Sequence, residues 1–209
     1  MVWHSAGHFH MLGRMDGCRQ RIIVDLEATC WRKQTFPKKQ EIIEIAAARI
    51  GEAGEILDEF DAFVRPVKRP EISPFCTELT SITQEDVNAA ELFPRVWERF
   101  LAWVGGTEGT CLISWGGYDE RQMRQDCALH GVGYPFENHR NLKQAFAAQY
   151  GVKPKGMKEA LGHIDQIEHD FLPGVAAAGH IAGRLVEQHV NQVAGGDNSA
   201  MSVERRAGA

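Results

Sequence analysis

The chain has 209 residues, 44% hydrophobic and 24% charged, which suits one domain with a full apolar core. Its net charge of −5 excludes a global basic field of the kind that marks a long-groove nucleic-acid binder. No run approaches the ~18 uninterrupted apolar residues of a membrane span, so no membrane association is expected.

Residues 1–19 show no period and carry His4, His8 and His10. They read as a disordered tail, or else as a metal-binding one. No apolar signal-peptide core stands at this end. Residues 20–192 read as the domain, and 193–209, small and polar, as a disordered C-terminal tail. Within the domain, 21–26 is a short apolar run and predicts a buried strand. Residues 41–50 predict a second strand, although the Ala-rich stretch also suits a helix. Residues 56–64 alternate and stop before Arg65-Pro66, as a third strand would. A loop with Pro66, Pro70 and Pro74 follows. Phe93, Val96, Trp97, Phe100, Leu101 and Val104 recur at helical spacing and predict a helix over 93–104. Residues 111–115 predict a fourth strand, and 119–130 a helix stopped by Gly131 and Gly133. Further helical pieces are predicted over 141–150 and 155–163, and a last helix over 175–190. Strands in a row, then strands interleaved with helices, imply a mixed α/β sheet covered by helices.

The five cysteines, Cys18, Cys30, Cys76, Cys111 and Cys127, are odd in number and irregularly spaced, with no CxxC pair. That pattern predicts reduced thiols in a cytoplasmic setting, against both a disulfide frame and a zinc knuckle.

Asp25-Leu26-Glu27 ends the first apolar run. Side chains two apart on a strand share a face, so two carboxylates would repel there unless a cation sits between them. A solvated acid pair is the bland reading of such a spacing. The apolar context argues against it, because uncompensated charge is costly to bury. An oxygen-rich cluster suits Mg²⁺ or Mn²⁺. Asp119 follows the fourth strand and opens a helix. It reads either as a first-turn acid that stabilises the helix, or as the next carboxylate of a metal cluster if strands one and four are neighbours.

Four stretches carry a family resemblance: Ile23-Val24-Asp25-Leu26-Glu27-Ala28-Thr29-Cys30; Glu41-Ile42-Ile43-Glu44-Ile45; Phe63-Val64-Arg65-Pro66 with Phe75-Cys76-Thr77-Glu78-Leu79-Thr80-Ser81-Ile82-Thr83-Gln84; and Ser114-Trp115-Gly116-Gly117-Tyr118-Asp119. Together they resemble the DEDDh type of the DnaQ-like (RNase T-like) 3′→5′ exonucleases. Within it they are most similar to the animal histone-mRNA and small-RNA exonucleases and the bacterial KapD-type proteins. The resemblance implies an RNase H-like fold with a mixed, mostly parallel five-stranded sheet. It implies Asp25 bridging two Mg²⁺ or Mn²⁺ ions, Glu27 on the first and Asp119 on the second. It implies Ala28 and Thr29 against the 3′-terminal nucleotide, and Phe75 and Trp115 shaping the base pocket. Both aromatics equally suit a core. The implied partner is the 3′ end of RNA or single-stranded DNA, or a nucleoside monophosphate.

The resemblance breaks at the family's third motif, a His followed five residues later by an Asp. Aligned from Gly156-Met157-Lys158-Glu159-Ala160-Leu161 to His180-Ile181-Ala182, the two positions fall on Leu172 and Ala177. Leu172 cannot accept a proton, and loss of a general base typically costs about 10²–10⁴ in rate. Ala177 removes a carboxylate ligand. His169, Asp170 and His180 lie close enough in sequence to be considered as substitutes, though one helical turn is about 5.4 Å, long for a replacement ligand. Two functions follow: a metal-dependent 3′→5′ exonuclease of weak or lost activity, or a silent pseudo-exonuclease that binds nucleic acid or regulates through protein contacts.

Overall fold

In the computed structural model, which describes residues 17–32, 40–51, 55–160 and 162, the first apolar run forms strand β1 (Gln20–Ala28). Strands β2 (Ile42–Ile50) and β3 (Ile56–Arg65) follow it. Two short helices come next, α1 (Pro74–Thr80) and α2 (Gln84–Ala89), then a two-residue strand β4 (Glu91–Leu92) and helix α3 (Phe93–Val104). Strand β5 (Thr110–Ser114), helix α4 (Tyr118–His130), strand β6 (Asn138–Asn141) and helix α5 (Leu142–Tyr150) complete the named elements.

The strands lie in the order β4-β3-β2-β1-β5-β6. β1 pairs antiparallel with β2, and β2 with β3, whereas β5 runs parallel to both β1 and β6. The sheet is the expected mixed one, with six strands in place of five. The extra strand is β4, parallel to the end of β3.

Central β1 is apolar on successive residues because both of its faces are covered. Ile22, Val24 and Leu26 join the main core with Trp97, Phe100 and Met123. Ile23 faces the other way, against Ile113 and Leu142. Helix α3 presents Phe93, Val96, Trp97, Phe100 and Val104 to the sheet, as its spacing predicts, and each large side chain buried there contributes about 1.5–3 kcal/mol. In β2, Ala47 and Ala48 are fully buried. Hydrogen-bonded ladders on both sides of this strand outweigh the helical preference of its alanines.

Three features differ from the sequence reading. Helices α1 and α2 lie where only a proline-rich loop and a signature were expected. Their signals are local: Ser73 caps α1 ahead of Pro74, and Thr83 with Asp86 forms a capping box on α2. Strand β6 covers part of the region predicted to open a helix. Its residues are polar and do not alternate, so only pairing with β5 reveals it.

The third difference is a correction. Cys18 and Cys111 form a disulfide across a sequence separation of 93, with Cα atoms 5.6 Å apart. Parallel pairing sets Arg21 beside Cys111 and so brings Cys18, just upstream, to the same point. Spacing along the chain carries no trace of this. Among the described residues, Cys30, Cys76 and Cys127 are free.

Residues 157–160 are helical, within the piece predicted over 155–163, and Ala160 packs on Phe146. Leu172, Ala177, His169, Asp170, His180, the helix expected over 175–190, most of the N-terminal tail and the C-terminal tail lie outside the described residues.

Candidate metal and nuclease site

Asp25 and Glu27 sit at the C-terminal end of β1, on the face that Ile23 shares. Parallel β5 ends beside them at Ser114. The chain then turns through Gly116, whose φ of 121° is open to glycine. It enters α4, whose first turn carries Asp119. Adjacency of β1 and β5 was the condition for Asp119 to join the cluster, and the sheet meets it.

The Asp119 carboxyl is 6% exposed. It accepts hydrogen bonds from its own N–H, from the Ser114 hydroxyl and from the Leu26 N–H. The last of these ties α4 to β1 between the other two acids. Burial pushes Asp119 above the ordinary carboxylate range, while these donors and Arg121 pull it back. Burial raises Asp25 to about 6, the charge of Asp119 adds to the rise, and the Leu26 N–H opposes it. Burial raises Glu27 to about 7, with Asp25 and Asp119 both adding to it. Three carboxyls from two elements therefore repel one another at one edge of the sheet.

A fourth acid belongs to this neighbourhood. Glu44, inside a stretch the sequence reading quoted without assigning it a role, stands opposite Glu27 in the β1–β2 register and is 2% exposed. Burial, first of all, raises its carboxyl to about 9, and Asp61, Glu27 and Asp25 add to the rise. Only the strand register could have revealed it.

The expected nucleotide-contacting residues divide. Ala28 and Thr29 are buried. The Thr29 N–H donates to the Glu41 carbonyl at 2.9 Å, and its Oγ1 accepts from the Glu41 N–H at 3.0 Å. These two residues shape the site's floor through the backbone. Phe75 is half-buried on α1, with the Arg32 guanidinium 5.0 Å from its ring centroid. Leu79, one turn later, is 64% exposed. Trp115 is half-buried, packs on Phe146 at 5.9 Å and donates its indole N–H to the Lys155 carbonyl at 3.3 Å. Phe75 and Trp115 thus belong to separate clusters.

An all-carboxylate donor set with mutual repulsion fits a hard divalent cation, which prefers oxygen ligands. The cage is open: among the described residues, no three His, Cys, Asp or Glu are gathered as a ready metal-holding group.

Residues 22–162 match the exonuclease family of the RNase T type. ERI1 exoribonuclease 2 of Danio rerio is 31% identical over 175 residues, covering 71% of this chain and 31% of that protein. ERI1 exoribonuclease 3 of Mus musculus is 34% identical over 146 residues, covering 64% of this chain and 42% of that protein. The chain thus spans about a third to two fifths of the length of these curated relatives. Among solved structures, the nuclease domain of 3′hExo, a DEDDh family member bound to rAMP, superposes with a TM-score of 0.65 at 26% identity. That match covers 82% of this chain and 92% of the other. The sheet order, the carboxylate edge and these matches agree: the chain belongs to the RNase T-type exonuclease family, among relatives that are 3′→5′ exonucleases.

Proposed function

We propose that the chain binds the 3′ end of RNA or single-stranded DNA, or a nucleoside monophosphate, at the edge formed by Asp25, Glu27 and Asp119. Hydrolysis there is weak or lost. The observation that carries the reading is the convergence of three mutually repelling carboxyls from β1 and α4. Such repulsion costs stability and is relieved by a cation.

Asp25, Glu27 and Asp119 would hold Mg²⁺ or Mn²⁺, which supplies charge stabilisation at the phosphodiester and acidifies water. The Leu26 N–H orients Asp25 and Asp119 together. Phe75 and exposed Leu79 on α1 offer an apolar rim against which a terminal base can pack. What the chain lacks is a proton acceptor at Leu172 and a fourth carboxylate at Ala177. The lack of both favours a second reading, a silent relative that binds ends without cutting them.

Digestion of a 3′-labelled oligonucleotide with Mn²⁺, for the wild type and Asp25→Ala, separates the two. Cleavage by the wild type that Asp25→Ala abolishes supports weak hydrolysis at this site. Equal residual cleavage in both sinks it. Robust trimming by the double variant Leu172→His, Ala177→Asp would show that only the third motif is missing.

A further inference from the structure

Next to Asp119 lies a buried histidine that neither the family motif nor the proposed chemistry uses. His139 is on β6, its side chain 5% exposed. Its Nε2 lies 2.8 Å from Ser114 Oγ, and Ser114 is the residue whose hydroxyl bonds the Asp119 carboxylate. The register explains the contact. His139 pairs with Leu112 and Asn141 with Ser114, so the ring reaches one step along the sheet to the last residue of β5.

The proton count decides who donates. A serine hydroxyl has one proton, and a neutral imidazole has one N–H. Two acceptors compete for the serine proton, the Asp119 carboxylate and the Gly116 carbonyl at 3.0 Å. If the hydroxyl faces these acceptors, its oxygen must accept from His139, which places the imidazole proton on Nε2. Among the described residues Nδ1 has no hydrogen-bond partner. The nearest carboxylate, Glu120, is 3.7 Å away, and its other oxygen is engaged by Arg124. A ring whose Nδ1 lacks a hydrogen-bond acceptor is the tautomer that donates from Nε2.

We infer that His139 is a positioning residue for the metal site: its Nε2–H holds the Ser114 hydroxyl in the rotamer that donates to Asp119. The inference rests on Asp119 being a metal ligand, as proposed above. Without the imidazole donor, the serine loses the partner that fixes its oxygen and can turn fully to Gly116. Asp119 then keeps its backbone donors but loses its one side-chain hydroxyl donor.

Mn²⁺ binding to the full chain, measured by electron paramagnetic resonance without any substrate, tests this. Partners behind a ligand typically contribute about 10–100-fold in metal affinity, so His139→Phe is expected to weaken Mn²⁺ binding by at least ~10-fold, and His139→Gln, which keeps a donor, to recover it to within ~3-fold. Ser114→Ala should match His139→Phe, and the double variant should be no worse than either. Unchanged Mn²⁺ affinity in His139→Phe, whatever happens to its melting temperature, overturns the inference, as do additive losses in the double variant. Asp25→Ala provides the reference for lost binding. A wild type that binds no Mn²⁺ sinks the metal reading itself, and the role of His139 with it.

Discussion

Glu44 stands directly across from Glu27 in the antiparallel β1–β2 ladder, and both carboxyls point to one face of the sheet. With its carboxyl raised to about 9, Glu44 is protonated at neutral pH. It is a neutral hydrogen-bonding neighbour of the acidic edge and adds no charge to it. Glu44→Gln, which keeps size and neutrality, is therefore expected to shift stability by less than about 1 kcal/mol. Mn²⁺ affinity should stay close to the wild-type value. Thermal melts and a Mn²⁺ titration check this; a large loss of either would mean that Glu44 is ionised.

Glu27→Gln should separate stability from binding. The variant removes one of the three repelling charges, so the metal-free protein should melt higher at pH 7.5, by about 2–4 °C for each kcal/mol relieved. Ion binding should fall sharply. Differential scanning calorimetry with and without Mn²⁺ reads both effects.

The pH dependence of the metal-free protein has a defined sign. Asp25 and Asp126, both raised to about 6, and Glu27, raised to about 7, hold their protons longer in the folded state than in the unfolded one. Where the native state binds more protons, stability falls as pH rises. The contribution of these groups is thus fully present below about pH 4 and is lost as pH climbs through 6 to 7. Urea titrations at pH 5 and 7.5 should show that loss for Asp25 and Glu27 in wild type minus Asp25→Asn/Glu27→Gln. Saturating Mn²⁺ should shrink it, because a bound ion favours the ionised carboxylates.

The Cys18–Cys111 disulfide closes a loop with a sequence separation of 93. Such a cross-link contributes typically about 2–4 kcal/mol. Cys18→Ser is expected to lower the melting temperature by roughly 5–15 °C. The change should leave Mn²⁺ affinity alone, because the bond lies at the opposite end of β1 from Asp25 and Glu27. A non-reducing against reducing melt of the wild type should reproduce the difference.

Trp97 is 2% exposed, stacks on Phe93 and donates its indole N–H to the Gly133 carbonyl. Trp97→Ala is expected to cost about 3–5 kcal/mol, measured by urea denaturation. A cost below 1 kcal/mol would mean that α3 is not held to the sheet as described.

Local pattern carried much of the fold and the centre of the site. Apolar runs and helical spacing marked β1, β2, β3, α3 and α4, because each buries a face whose period is written in consecutive residues. The pair Asp25 and Glu27 was legible because alternation along a strand is local, and Asp119 because it opens a helix after β5. Polar β6 was not legible, since a strand without alternation is recognised only by its partner.

By itself, the sequence determined the family, the two acids on β1 and the absence of His and Asp at 172 and 177, since residue identity at an aligned position needs no coordinates. Tertiary structure decided what pairing across distance creates. It set Glu44 beside Glu27, brought Cys18 to Cys111, joined Asp119 to Leu26 and placed His139 behind Ser114. Each depends on strand register, and register is a property of the assembled sheet that no single stretch of chain encodes.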